Sequence, residues 1–426
     1  MTQASEKTLR YRWIIFGILA LQFLLVYFHR VSTAVVAQDL MKAFLISGTA
    51  LGILSSSYFY TYAVMQLPIG FLADSWGPRK TIAFCGFIAA FGSILFGFSP
   101  NYGTAIFARI LVGFGVSAVF VSSMKIFSMW FKGNEYARIS GIFLACGGSG
   151  WLLAATPLAI LSKLHGWRMV FIATGCITTF ISLLSLFAVA DSPEKKGYST
   201  ITNQDVSQTK AKMGLLQSFI AVLREKRFWP LASWSFINGG ILFGFFGLWA
   251  GPFLSDVYMI SKGTMGNILS MVAWAMILGS PLLGYLSDKT THTRKSFLYV
   301  SSIIHSLCWL IILLYFRNFN NPTLYMFFFI LGITSCAIPV VLLAATRELF
   351  PVEIAGISQG MMNLFPFIGC VVFQPLIGYI LDRTGRIGGV YPPMAYKNVL
   401  LFLFLAGLIS VACISTFKER RDKVKH

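Results

Sequence analysis

Charge is scarce in this chain, and acidic charge is scarcest. Only 12% of its 426 residues are charged, and Lys and Arg outnumber Asp and Glu by 34 to 15. So small a polar complement cannot cover a water-soluble protein of this length, which excludes an ordinary soluble domain. No acid falls in the middle of a long apolar run. Asp39 and Asp256 sit near one end of such runs, and Asp74, Glu135, Asp288, Glu348 and Glu353 near the other. Paired cysteines are missing too. Cys85, Cys146, Cys176, Cys308, Cys336, Cys370 and Cys413 stand singly in apolar stretches, so neither a disulfide framework nor a zinc site is indicated. There is no metal-ligand spacing, no nucleophile elbow and no glycine-rich loop following a strand pattern; neither a metal nor a cofactor is expected. The net charge of +19 comes in short clusters that are not interleaved with aromatics. That sets nucleic acid aside and suits a membrane.

What is present is apolar length. Hydrophobic residues make up 56% of the chain, including 40 Phe. A helix needs about 20 mainly apolar residues to cross a bilayer. Twelve runs meet that need: 13–37, 49–72, 81–99, 105–130, 138–162, 168–189, 229–252, 264–286, 297–316, 323–346, 355–380 and 398–417. The expectation is an all-α membrane protein of twelve transmembrane helices. It divides into an N-terminal tail (1–12), a six-helix bundle (13–190), a polar linker (191–227), a second bundle (228–417) and a tail (418–426). Lys7, Arg10 and Arg12 precede a first run too long for a signal peptide and lacking a small-residue cleavage site, so that helix is expected to stay. On this map Lys and Arg favour the side of the N-terminus roughly three to one, which puts both termini in the cytoplasm.

The halves repeat. Gly70-Phe71-Leu72-Ala73-Asp74-Ser75-Trp76-Gly77-Pro78-Arg79-Lys80 returns 214 residues later as Gly284-Tyr285-Leu286-Ser287-Asp288, followed by Arg294-Lys295. Glu135, Ala137, Ile139 and Ser140 recur at an offset of 218 as Glu353, Ala355, Ile357 and Ser358, and so does Pro157-Leu158 as Pro375-Leu376. Two halves with the same even number of helices are parallel repeats. The Gly70–Lys80 segment resembles the loop between helices 2 and 3 of the major facilitator superfamily, G-x-L-A-D-x-x-G-x-R-[RK], with a degraded copy in the second half. The resemblance covers residues 13–417 and implies two pseudo-symmetric six-helix bundles that rock about a midplane cavity. Within that loop Gly70, Asp74 and Arg79, and later Asp288 and Arg294, are expected to act in gating. Asp74 would clasp Arg79 and Asp288 would clasp Arg294 as cytoplasmic latches.

Three basic residues fall inside runs, away from their first and last positions: Arg30, Arg109 and Lys125. A charge at the bilayer centre costs about 2.5–3.5 kcal/mol on insertion scales, so each needs a cavity, a partner or an interface to reach. Arg30 either snorkels to the outer interface or faces the cavity. The resemblance favours the cavity, because the organophosphate-exchanger and anion–cation symporter branches carry a substrate-gripping Arg at this place in helix 1. Its neighbour His29, about 100° round the helix, need not share that face and is a candidate for substrate binding or for packing. Arg109 opens an R-x-x-x-G-x-G string with Gly113 and Gly115, which in relatives is linked to proton coupling or helix contacts. Lys125 reaches either the cavity or the cytoplasmic surface. Tyr58, Tyr62 and Gln66 share one face of helix 2, with Tyr62 the expected hydrogen-bond donor to substrate. Asn238, Asn363 and Gln374 are the polar candidates of the second half.

Cations without acids in the spans suit an anionic cargo. The expected function is secondary transport of a small anionic or zwitterionic, carboxylate-bearing metabolite such as an organic acid or amino acid. Coupling would run by exchange, by a histidine relay through His29 or His305, or by a proton carried on the substrate. Helix 7 lacks the second Arg of the organophosphate exchangers, which tells against phosphate-ester exchange. The alternatives are such an exchanger, a polycarboxylate, siderophore or drug transporter, and, from another class, a membrane ligand sensor that moves nothing. An enzyme is not expected. The partners would be the bilayer, the anion and protons, for a monomer in a bacterial inner membrane.

Overall fold

The computed structural model describes residues 3–198, 215–289, 294–351 and 354–419. The described chain is helical almost throughout, with one isolated bridge between Ile387 and Val390. Helices close their own backbone hydrogen bonds, as a chain surrounded by hydrocarbon must. Ten helical stretches are long and apolar enough to cross a membrane among the described residues. One of them, Arg138–Ala188, has 51 residues, about twice what a crossing needs. The outside is apolar as well as the inside: Phe71, Phe98, Phe180 and Phe187 are all largely exposed, which fits a lipid surrounding.

The first half runs α1 (Gln3–Val31), α2 (Thr33–Phe44), α3 (Gly48–Ser75), α4 (Pro78–Phe98), α5 (Tyr102–Trp130), α6 (Gly133–Leu153) and α7 (Thr156–Ala188). Ser32 interrupts the first apolar run. Ala154 and Ala155 separate α6 from α7, and Gly166 kinks α7 with φ at 77°. The second half runs α8 (Leu215–Arg224), α9 (Phe228–Gly239), a π-helical stretch (Gly240–Trp249), α10 (Ala250–Tyr258), α11 (Lys262–Lys289) and α12 (Arg294–Tyr315). It continues through α13 (Asn321–Gly332), a second π-helical stretch (Ile333–Ala337), α14 (Pro339–Leu349), α15 (Ala355–Thr384) and α16 (Pro393–Thr416). The offset of 214 carries the ends of α2 and α3 onto those of α10 and α11.

Two compact units result: Met1–Ser207 with Lys262–Gly266, and Gln208–Ser261 with Asn267–His426. The expected polar linker holds a helix. Phe219, Val222 and Leu223 of α8 share an apolar side, and Val222 packs into a cluster with Phe228, Leu349 and Phe350. Residues 199–214 of that linker lie outside the described residues. The expected N-terminal tail is helical from Gln3, because α1 continues the first apolar run backwards.

Candidate functional site

The first unit builds a cationic, aromatic interior at the point where its first run breaks. Arg30 lies two residues before the Ser32 break and is 3% exposed. Its guanidinium sits between two rings, 4.5 Å from the centroid of Tyr27 and 5.0 Å from that of Tyr62. The Tyr58 side chain hydrogen-bonds Arg30, and its hydroxyl also donates to the Val26 carbonyl at 3.2 Å. Tyr58 and Tyr62 are one helical turn apart on α3 and stack at 12° between planes. These faces are electron-rich, so the cage holds a guanidinium by cation–π attraction in a poorly hydrated place. The snorkelling alternative requires the head group to reach the interface; the observed Arg30 is buried instead.

Arg109 stands on the other side of Tyr58, 4.9 Å from the ring centroid, and donates from Nη1 to the His29 carbonyl at 3.0 Å. The His29 carbonyl lies in the last turn of α1, where Ser32 Oγ also approaches it at 3.5 Å, and Arg109 adds a charged donor to it. Gly113, one turn along α5, lets this happen: a Cβ there would run into the Tyr58 backbone. His29 is fully buried beside Phe28 and Phe171, and neither ring nitrogen has a hydrogen-bond partner. Acids of the first unit are engaged elsewhere: Asp39 with Lys262 at 2.5 Å, Asp74 with Lys125 at 2.6 Å, Glu135 with Arg12 at 2.7 Å and Asp191 with Lys195 at 2.8 Å.

Those pairs correct two expectations. Asp74 does not clasp Arg79. Asp74, still within α3, meets Lys125 of α5, against which α3 packs, and the Lys125 Nζ also donates to the Ala73 carbonyl at 2.9 Å. Lys125 therefore lies at a half-exposed helix end rather than beside Arg30. Arg79 turns to the last turn of α7, where its guanidinium donates to the Leu186 carbonyl, and its backbone N–H donates to Asp191 Oδ1 at 2.8 Å. Both bonds satisfy orphan groups of helix ends, a carbonyl of α7 and an N–H of α4. Gly70 sits within α3 with open space where a side chain would be. In the second unit Arg294 bonds Glu348 at 3.1 Å and also Ser287; the side chain of Asp288 lies outside the described residues.

The second unit's candidates scatter. Asn238 ends α9 and donates to the Ser335 carbonyl at 3.1 Å. His305 lies beside the same π-helical stretch: Nδ1 is 2.9 Å from Thr334 Oγ1 and 3.3 Å from Ser335 Oγ, while Nε2 accepts the Trp309 indole N–H at 2.8 Å. An indole only donates, so His305 is neutral with its proton on Nδ1. That leaves no lone pair for a relay. Asn363 is half-buried in α15, and Gln374 is buried against the first π-helical stretch.

The sequence did not single out the ion pair of Arg12. Placed in the N-terminal tail by sequence position, Arg12 forks onto Glu135 at 2.7 and 3.1 Å and stacks 4.8 Å from the Phe131 centroid. Glu135 also accepts the Lys132 N–H at 3.1 Å, capping α6. The hydrogen bonds from Arg12 hold the Glu135 carboxyl below the usual carboxylate range. Only the Glu three residues past Lys132 signalled it, as half of a capping pattern.

Comparison with known proteins agrees with this architecture. The family model described as Major Facilitator Superfamily matches residues 18–253 and 245–426. The chain is 23% identical, over 99% of both chains, to the "Probable sulfoacetate transporter SauU" of Cupriavidus necator. It is 24% identical to the "Probable galactarate/D-glucarate transporter GudP" of Bacillus subtilis, over 99% of this chain and 98% of that protein. It is also 24% identical to the phosphoglycerate transporter protein of Salmonella typhimurium, over 85% and 81%. Among solved structures, a D-xylose-proton symporter superposes with a TM-score of 0.76 at 16% identity, covering 96% of this chain and 98% of that one. Helices, repeats and family model agree, and the chain belongs to the Major Facilitator Superfamily as a membrane transporter rather than an enzyme.

Proposed function

We propose that this transporter carries a small organic anion whose carboxylate or sulfonate group binds Arg30, by alternating access across twelve transmembrane helices. The carrying observation is Arg30 itself, a buried guanidinium held between Tyr27 and Tyr62 with Tyr58 beside it. A planar fork of N–H donors matches a carboxylate or sulfonate edge, and tyrosine hydroxyls add neutral donors. The relatives are named for sulfoacetate, galactarate or D-glucarate, and phosphoglycerate, all anionic, which supports the class. One caged arginine suits a singly charged group better than a phosphate-ester dianion. Tyr62, whose ring lies 5.0 Å from the Arg30 guanidinium, is the hydroxyl donor to substrate.

Both termini are read as cytoplasmic, which the basic bias of the loops supports, in a bacterial inner membrane. The Trp309 indole N–H on His305 Nε2 tells against a relay through that ring, which favours a proton carried on the substrate or exchange over a relay left to His29, in a monomer. Counterflow in proteoliposomes tests the proposal. Vesicles preloaded with sulfoacetate or D-glucarate should accumulate labelled substrate from outside. Accumulation driven only by neutral sugars, or none with any anion while a ligand still binds, would contradict it.

A further inference from the structure

The second unit holds a feature that anion binding does not use. Gly240–Trp249 is π-helical over ten residues, with the Ala250 N–H bonded to the Phe245 carbonyl five residues back. Such stretches are rare, short, and concentrated at functional positions. Gln374 of α15 bonds this one twice, at Phe243 and at Trp249. Gln374 Nε2 donates to the Phe243 carbonyl at 2.9 Å, and the Trp249 indole N–H donates to the Gln374 backbone carbonyl at 2.9 Å. Gln374 is fully buried, and its Oε1 has no hydrogen-bond partner.

The repeat gives this clasp its place. The offset of 214 carries the Ser32 break of the first unit onto Phe246, in the middle of the π-helical stretch. The offset of 218 carries Thr156, the first residue after the Ala154–Ala155 break, onto Gln374. Where the first unit interrupts two helices, the second keeps them continuous and links them. Pro375 follows Gln374 inside α15 and removes one backbone N–H there, so both partners of the clasp are weak points of their helices.

We propose that Gln374 is a positioning residue of the transport cycle, a clasp that holds Gly240–Trp249 in its π-helical form and lets go as the second unit changes state. A π turn holds one more residue than an α turn. Conversion therefore slips the register and turns α10 about the helix axis by roughly 100° per residue. The orphaned Oε1 fits a device with two states, because a buried acceptor without a donor disfavours the clasped one.

The test compares full-length wild type with Gln374→Leu and with Trp249→Phe, which keeps a ring while removing the indole donor. Amide hydrogen exchange over 240–250 should quicken about tenfold in both variants, with exchange in the first unit unchanged. Uptake of whichever organic anion passes the counterflow test should slow severalfold in both, with half-saturation within about twofold of wild type. Unchanged exchange at 240–250 in both variants would overturn the clasp. A raised half-saturation at unchanged maximal rate would overturn it too, by making Gln374 a substrate contact. Trp249→Phe decides alone if Gln374→Leu does not fold. The exchange arm needs no substrate, so its outcome is independent of the anion assignment.

Discussion

Replacing Glu135 by Gln should destabilise the first unit at neutral pH and leave it unaffected in acid. The magnitude follows from burial. An exposed ion pair is worth under about 1 kcal/mol, whereas breaking a buried one costs about 3–5 kcal/mol. Arg12 and Glu135 lie between these limits, with side chains 10% and 33% exposed. Gln keeps one acceptor for Arg12 or Lys132 but loses the charge-assisted fork, so the expected cost is about 1.5–2 kcal/mol. At about 2–4 °C per kcal/mol for a unit of this size, the melting temperature at pH 7 should drop by about 3–8 °C. A double-mutant cycle with Arg12→Ala should return most of that as coupling. The Glu135 carboxyl is held below its ordinary value, so its contribution is complete above the unfolded-state value. It is lost as pH falls through the depressed folded-state value. Thermal unfolding in detergent, repeated from pH 7 down through the carboxylate range, is the assay. Coupling below about 0.3 kcal/mol, or a Glu135→Gln deficit that persists in acid, would refute the reasoning.

Asp74→Asn should barely change stability, because its pair with Lys125 is largely exposed, yet should slow counterflow more than it weakens binding. Equal losses of rate and affinity would remove Asp74 from gating. Arg109→Lys keeps the charge but not the reach or planar stack that serve the His29 carbonyl and Tyr58. It should weaken substrate binding by about tenfold through a misplaced Arg30, roughly the loss of one charged hydrogen bond. An affinity equal to wild type would mean that Arg109 serves packing alone. His305→Gln should retain the pH profile of transport, since His305 already accepts from Trp309 and cannot take up a coupling proton. A shifted profile would restore the relay.

Much of this architecture is legible in the chain because a bilayer imposes a single length scale and forbids unpaired backbone. The apolar runs, the repeat offset and the Gly77-Pro78 reversal are all local properties. Partner choice is not local. Asp74 and Arg79 are close in sequence, but the side chain of one crosses to α5 and that of the other to α7, and only packing decides between partners. Arg30, Tyr58 and Tyr62 could be singled out because charge and hydroxyls are conspicuous in an apolar run. The role of Tyr27 as the other wall of the cage was hidden, since a Tyr one turn before an Arg is ordinary. The π-helical stretch was invisible as well: Gly240, Gly244 and Gly247 read equally well as close-packing positions.

The central claim is that Arg30 anchors an anionic substrate. The most direct measurement is ligand-induced thermal stabilisation of the purified protein and of Arg30→Ala, against sulfonates, carboxylates, phosphate esters and neutral sugars. A ligand at about 100 times its dissociation constant stabilises by about 2.7 kcal/mol, a readily visible shift. Sulfonates or carboxylates should shift the wild type and leave Arg30→Ala unmoved. Equal shifts in both proteins, or a response to neutral sugars alone, would contradict it.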